Sequence, residues 1–229
     1  MAQFVITAVN KGIGLALTKV ALEEGHDVVG TIRSQPSEAL RKILEVHGDR
    51  LQINELDLTS TESVERFSTE LKSLAKVDVL VNNAGVYLKS DSQFDENTED
   101  RIRESLATNL FGTLRVTEKL LPLLLESASG KVCSISSLMG SITDNKSGGS
   151  YGYRISKAAL NMLNRSFAID FPKLIAVVLH PGWVQTDMGG SGAPLLAERS
   201  AEGLMTVIEG LRKEDTGKFY DYKGAELPF

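Results

Sequence analysis

The stretch "TAVNKGIG", residues 7–14, follows the apolar run "QFVI", residues 3–6, and decides how the rest of the chain is read. A strand that enters a turn of small residues and leaves as a helix exposes the helix's first N–H groups, which is a phosphate cradle. Gly12 and Gly14 permit close backbone approach and tight packing of helix on strand. Ala8 stands where the first glycine of such a turn is expected. Alanine is accepted there without strain when its φ is negative. The expectation is therefore that Ala8 has φ below zero and a Cβ turned away from the phosphates. Read alone, the stretch fits a plain structural turn as well as a phosphate site.

Working outward, strand-like and helix-like segments alternate along the chain. The strand-like runs are 4–7, 26–32, 50–58, 77–85, 131–136, 174–182 and 217–222. Their unbroken apolar character suits a parallel sheet covered on both faces. Between them lie helical patterns at 12–25, 36–48, 59–74, about 95–125, 151–170 and 193–211. Pro36 and Gly48 mark a helix start and stop, and the Ser/Thr run at 59–61 caps the next helix. The fold class is α/β: one doubly wound (Rossmann) domain over 1–229, a seven-stranded parallel sheet flanked by helices.

Composition narrows the partners. The 229 residues carry a net charge of −5, with Lys and Arg scattered rather than clustered. Neither nucleic acid nor a membrane surface is the expected partner. The longest greasy stretch, 120–125, is far too short to span a bilayer and contains Pro122. The N-terminal "MAQFVITA" lacks the basic segment and apolar core of a signal peptide. With one cysteine, Cys133, read as a buried strand residue, a cytoplasmic location is expected. His26, His47 and His180 are scattered and no metal site is expected.

The remaining motifs sit just after strands, where ligands of such sheets bind. Arg33 follows the second strand, where an NAD site would carry an acid for the ribose 2′-hydroxyl. Together with Lys11 it suits a 2′-phosphate, so NADP(H) is expected over NAD(H). Asp57, after the third strand, reads either as an acceptor for the adenine amino group or as a helix-capping residue. The "NNAG" turn, residues 82–85, follows the fourth strand. Tyr153 and Lys157 are four apart and share one helix face. An ammonium beside a phenol favours phenolate, which lowers a pKa normally near about 10 and makes Tyr153 a general acid/base. Ser137 ends the fifth strand, where its hydroxyl can hold a substrate oxygen. Trp183 reads either as a pocket wall or as packing.

With its glycine turn, "NNAG", "TNLFG", "ISS", "YRISK" and "HPGWVQTDM" in order, the whole chain resembles the classical short-chain dehydrogenase/reductase family. Its "HPGWVQTDMGGSGAPL" and "FYDYKGAELPF" look similar to a subgroup of C-factor-like and sniffer-like carbonyl reductases. The resemblance implies a catalytic set of Ser137, Tyr153 and Lys157, with Asn109 holding a water of the proton relay behind Lys157. It implies cofactor contacts at Thr7, Lys11, Gly12, Ile13 and Gly14 in the first turn, and at Arg33, Asp57 and Leu58 after the next two strands. Asn83, Ala84 and Gly85 follow, then Pro181, Gly182, Val184 and Thr186 after the sixth strand. Two departures stand out: Ala8, and a loop between Ser137 and Tyr153 that is longer than usual, which leaves Ser136 as an alternative.

These readings imply an NADP(H)-dependent oxidoreductase that reduces a small carbonyl compound, an aldehyde, ketone or quinone. The alternative is an NADP(H)-binding regulator of C-factor type with little turnover. The glycines of 188–201 suggest a lid over the substrate pocket. The family's habit implies a homodimer or homotetramer paired through the two long helices.

Overall fold

The computed structural model describes residues 1–229 apart from Lys89 and Ser92. Seven strands form one parallel sheet: β1 (Gln3–Ile6), β2 (Asp27–Ile32), β3 (Leu51–Glu55), β4 (Val79–Asn82), β5 (Lys131–Ile135), β6 (Ile175–His180) and β7 (Phe219–Asp221). Their order across the sheet is β3-β2-β1-β4-β5-β6-β7. The chain reverses direction across the sheet between β1 and β4, so the carboxyl ends of those two strands flank the ligand crevice of a doubly wound fold.

The helices are α1 (Gly12–Glu23), α2 (Glu38–His47), α3 (Thr61–Glu70), α4 (Thr98–Leu106), α5 (Thr113–Leu125), α6 (Tyr151–Asp170) and α7 (Ala197–Gly210). Residues of α1, α2 and α7 join Phe4, Ile6, Val81 and Val177 in one apolar layer. Residues of α3, α5 and α6 join Val5, Leu80, Val132 and Ala176 in the other. Successive strand residues point to opposite faces, which is why Val5 and Ile6 enter different layers. Ser37 and Ser60 cap α2 and α3 by accepting from Leu40 N and Ser63 N.

The single helix expected over 95–125 is interrupted. A wide π turn, Ala107–Gly112, joins α4 to α5. Gly112 crosses Leu58 closely, since a Cβ there would lie 2.7 Å from the Leu58 Cβ. The helix expected from 193 starts only at Ala197, because Leu195 is used in a parallel bridge to Val184 and accepts from Gln185 N at 2.8 Å.

Ala8 overturns its expectation outright, with φ of 59°. Its N–H donates to Thr31 Oγ1 at 3.2 Å and its carbonyl accepts from Asn83 Nδ2 at 3.2 Å. The next residue, Val9, donates to Thr31 O at 2.9 Å. Tertiary hydrogen bonds on both sides of the peptide hold the left-handed conformation that glycine would adopt without cost.

Candidate active site

A cleft of about 1180 Å³ opens at the strand ends. Its floor is the glycine turn. Gly12, at φ 57°, and Gly14 both line it. A Cβ on Gly12 would come within 3.2 Å of the Thr186 methyl, and one on Gly14 would collide with Ala8 O and Asn83 Nδ2. Lys11 is the N-cap residue of α1 and makes no side-chain cap bond, so the free N–H groups of the first turn face a cradle suited to an anion.

The "NNAG" segment ties this turn down. Asn83 Nδ2 donates to Thr7 O at 2.8 Å, and the N–H groups of Asn83 and Ala84 both donate to Thr7 Oγ1 at 2.9 Å. Asn83 and Gly85 line the cleft, while Thr7 and Ala84 support it from behind. Asn10 adds a brace that went unread in the sequence. It accepts from Ser37 N at 2.6 Å through Oδ1 and from Ser37 Oγ at 2.8 Å through its carbonyl.

At the far end, Arg33 lines the cleft. Asp57 Oδ1 accepts from both Thr59 N and Thr59 Oγ1, and these bonds hold its carboxyl below the usual range, with the Arg33 charge adding to them. Asp57 therefore braces the turn into α3, whose cap itself is Ser60. Leu58 is buried, packed under Gly112, with its carbonyl accepting from Arg115 at 3.2 Å. The Lys11 ammonium is engaged with Asp187 of the loop after β6, although both side chains are largely exposed.

The chemical end gathers the expected catalytic residues. Tyr153 is buried in the first turn of α6, and its ring meets that of Tyr87 edge-on at 5.1 Å. Burial pushes the Tyr153 phenol up to about 12, against a smaller lowering effect of the Ser137 hydroxyl. The lowered phenol pKa expected from Lys157 is thus overturned. The cause is burial of the phenol; Lys157 Nζ, which donates to Ile135 O at 2.8 Å, lies 5.7 Å from the Tyr153 ring centroid. Burial also pushes Lys157 down, to about 8.

Ser137 begins a short helical turn, accepting from Met139 N at 3.1 Å. Ser136 donates to Asn161 Oδ1 at 2.6 Å in a buried pair, so its hydroxyl is committed to the core. Asn109 lies in the π turn. It accepts from Val86 N at 2.7 Å and donates to Val86 O at 3.0 Å and Ser156 Oγ at 2.9 Å. Asn109 and Lys157 converge on Gly85, where a Cβ would lie 3.2 Å and 3.4 Å from Oδ1 and Nζ.

The loop after β6 closes the remaining side. Pro181 and Thr186 line the cleft, and Thr186 Oγ1 accepts from Gly189 N at 3.1 Å. Gly182, at φ 85°, packs under Leu195 and Tyr222, and Val184 is buried beside it. Trp183 donates to Gly189 O at 2.9 Å and is 60% exposed, so it staples the loop rather than walling the pocket. Gln185 donates to Ala193 O at 2.8 Å. The segment expected to be a glycine lid is therefore tied at Gly189, Ala193 and Leu195 to residues 183–186.

Tyr87, Leu88, Met188 and Leu196 also line the cleft and give its chemical end an apolar wall. Tyr87 and Leu88 lie on a loop without periodic pattern, so no sequence signal marked them, whereas Met188 and Leu196 fall in the segment read as a lid. Elsewhere, Glu24, His26 and Glu209 bring three metal-ligating groups together. His26 Nδ1 accepts from Ala2 N at 3.2 Å, which leaves the neutral ring's proton on Nε2, facing Glu209 at 3.1 Å. That tautomer offers no lone pair to an ion. Among the described residues, no helix is long and apolar enough to cross a membrane.

Comparison with known proteins bears on the whole assembly. The family model of short chain dehydrogenases matches residues 3–194. C-signal of Myxococcus xanthus is 48% identical over 155 residues, 67% of this chain and 93% of that protein. The carbonyl reductase Sniffer of D. melanogaster superimposes with a TM-score of 0.94 at 31% identity, over 100% of both chains. A carbonyl reductase from Pseudomonas aeruginosa PAO1, solved in complex with NADP, gives a TM-score of 0.87 at 34% identity over 100% of both chains. The ordered motifs, the strand order and the extent of the family match agree: the chain belongs to the short-chain dehydrogenase/reductase family.

Proposed function

We propose that the chain is an NADP(H)-dependent reductase of small carbonyl compounds, with Tyr153 as the proton donor. The observation that carries this reading is that Tyr153 and Lys157 line the same cleft as Arg33, with the Ser137 hydroxyl within hydrogen-bond reach of the Tyr153 phenol. The glycine cradle fits a pyrophosphate, because Gly12 and Gly14 line the cleft at an N-terminus of α1 that no side chain caps. Arg33 fits a 2′-phosphate, since no acid occupies its position after β2. The carbonyl reductase neighbours, one of them solved with NADP, support the same assignment.

When bound, the nicotinamide supplies hydride to the carbonyl carbon. The chain's own residues do the rest. Ser137 and Tyr153 hold the substrate oxygen by hydrogen bonds. A phenol whose pKa is raised stays protonated at neutral pH and is ready to donate to that oxygen as negative charge develops. Lys157, still mostly charged at neutral pH, stabilises the phenolate left behind. Asn109 fixes the wall behind Lys157 through Val86 and Ser156. The apolar wall of Tyr87, Leu88, Met188 and Leu196 favours an apolar carbonyl compound and keeps water from the reacting oxygen.

The test is consumption of NADPH, followed by absorbance, across a panel of aldehydes, ketones and quinones. Tyr153→Phe should keep the fold and NADPH binding and lose turnover by at least about 100-fold. Undiminished turnover in that variant would remove Tyr153 from the mechanism. The 48% identity to C-signal favours a second reading, a cofactor-binding regulator with little turnover. NADPH binding without oxidation by any member of the panel would support it.

A further inference from the structure

Helix α6 carries Tyr153 in its first turn, yet its own cap is poor. The N-cap residue Ser150 is left-handed, at φ 48°, and makes no side-chain cap bond. The cap comes instead from Asp91, on the loop after β4. Its two carboxylate oxygens accept from Gly152 N at 2.9 Å and Tyr153 N at 2.8 Å, from 61 and 62 residues away. These N–H groups are the second and third of the helix, the donors that an N-cap side chain ordinarily serves.

This carboxylate is fully buried. Arg101 of α4 is buried too and faces it, with Nε 3.8 Å from Asp91 Oδ1 and, among the described residues, no hydrogen-bond partner for that nitrogen. The rest of the guanidinium grips the same loop, through Gln93 O at 2.9 Å and Asp95 Oδ1 at 2.7 Å. From the opposite side α4 presses on Gly152, where a Cβ would lie 2.7 Å from Arg101 O and 2.9 Å from Ser105 Oγ. The start of α6 is thus held between a buried carboxylate and a neighbouring helix, one residue from Tyr153.

We propose that Asp91 is a positioning residue: it caps α6 across the fold and so fixes the phenol of Tyr153 against Ser137. The proposal rests on the reading of Tyr153 as proton donor. A buried ionised carboxylate is costly unless paired and hydrogen-bonded, and helix stability alone could be had from a cap at position 150. What the cross-fold cap adds is a fixed height of the helix start relative to β4 and β5. Proton transfer depends on that placement, and a misplacement of about 1 Å costs on the order of 100-fold in rate.

The test is steady-state kinetics of Asp91→Asn and Gly152→Ala, alone and combined with Tyr153→Phe, with circular dichroism for folding and NADPH fluorescence for binding. Asn keeps one acceptor and turns the other site into a donor facing an N–H. Asp91→Asn should lower kcat about 100-fold, and Gly152→Ala, which pushes the helix start from α4, about 10-fold. The KM and dissociation constant for NADPH should stay near wild type in both. In the Tyr153→Phe background both effects should vanish, because they act through the phenol. Wild-type kcat in folded Asp91→Asn, or a loss that persists in the Tyr153→Phe background, would overturn the proposal. If Asp91→Asn does not fold, Gly152→Ala decides it: wild-type kcat there overturns it. An active Tyr153→Phe would bring down the functional reading itself, whereas an inactive one beside a fully active Asp91→Asn defeats only this inference.

Discussion

Lys157 Nζ donates to the carbonyl of Ile135 at 2.8 Å, across the interval between α6 and the end of β5. The bond explains how an ammonium persists at a site that is only 3% exposed. It also directs the charge at the strand end, 5.7 Å from the Tyr153 ring centroid.

The pH dependence of stability follows from these two side chains. Burial lowers Lys157 to about 8 in the folded chain, against about 10.4 unfolded. Between those values the unfolded chain binds the extra proton, so this lysine's contribution to stability rises with pH. Tyr153 runs the other way. Its folded pKa is about 12 against about 10 unfolded, so its contribution is full below about pH 10 and is lost as pH rises towards 12. Urea unfolding of the wild type and Lys157→Met across this range should show the wild type gaining up to about 3 kcal/mol relative to the variant between about pH 8 and 10.4. Parallel curves would mean that Lys157 titrates normally.

Ala8 carries removable strain. A left-handed alanine costs about 1–2 kcal/mol relative to the right-handed side of the map, and glycine carries no such penalty. Ala8→Gly at φ 59° should therefore stabilise the protein by about 1 kcal/mol, read as a rise in the thermal midpoint. NADPH affinity in the same variant tests whether the strain bears on the cradle, since Ala8 lines the cleft. A fall in the midpoint would mean that the turn relaxes to another conformation in solution.

The hand of that turn shows where sequence stops being informative. The strands were legible because parallel strands buried on both faces are unbroken apolar runs, as at 174–180. That Arg33, Tyr153 and Lys157 line one cleft was legible because ligand sites follow strand ends in this architecture. The φ of Ala8 was not, because its determinants, Asn83 and Thr31, lie 75 and 23 residues away. The break at Ala107–Gly112 escaped for a similar reason: local propensity runs straight through "ATNLFG", and the crossing over Leu58 is tertiary. The direction of the Tyr153 shift escaped as well, since the spacing of Tyr and Lys shows proximity and hides burial.

Arg33 and Lys11 were expected to share the 2′-phosphate, and their surroundings now separate them. Lys11 already has a carboxylate partner in Asp187, while Arg33 lines the adenosine end of the proposed site. A charge-assisted hydrogen bond is worth about 1.5–3 kcal/mol, so Arg33→Ser should weaken NADPH binding roughly 10- to 100-fold and leave NADH nearly unchanged. Lys11→Ala should cost less than about 1 kcal/mol in stability, as exposed ion pairs do, and shift the NADPH to NADH preference less than Arg33→Ser. Fluorescence titration with both nucleotides measures the two preferences. A larger preference change in Lys11→Ala would return the phosphate to the glycine turn.

Ser136 and Ser137 are adjacent, yet they should fail in opposite ways. Ser136 donates to Asn161 Oδ1 at 2.6 Å in the core, and Asn161 Nδ2 reaches on to Gly140 O at 3.3 Å. Ser136→Ala leaves that amide oxygen buried and unpaired, which costs about 1–3 kcal/mol of stability. Its turnover at a temperature where the variant is folded should stay near wild type. Ser137 faces the phenol, and among the described residues its hydroxyl otherwise only accepts from Met139 N in a short turn. Ser137→Ala should therefore melt close to wild type while losing about 100-fold or more in kcat, because the substrate oxygen loses one of its two hydrogen-bond partners. Thermal melts and NADPH-coupled turnover of the two variants, run side by side, separate the cases. Loss of turnover in Ser136→Ala with an unchanged melting point would move the substrate-binding hydroxyl one residue back along the chain.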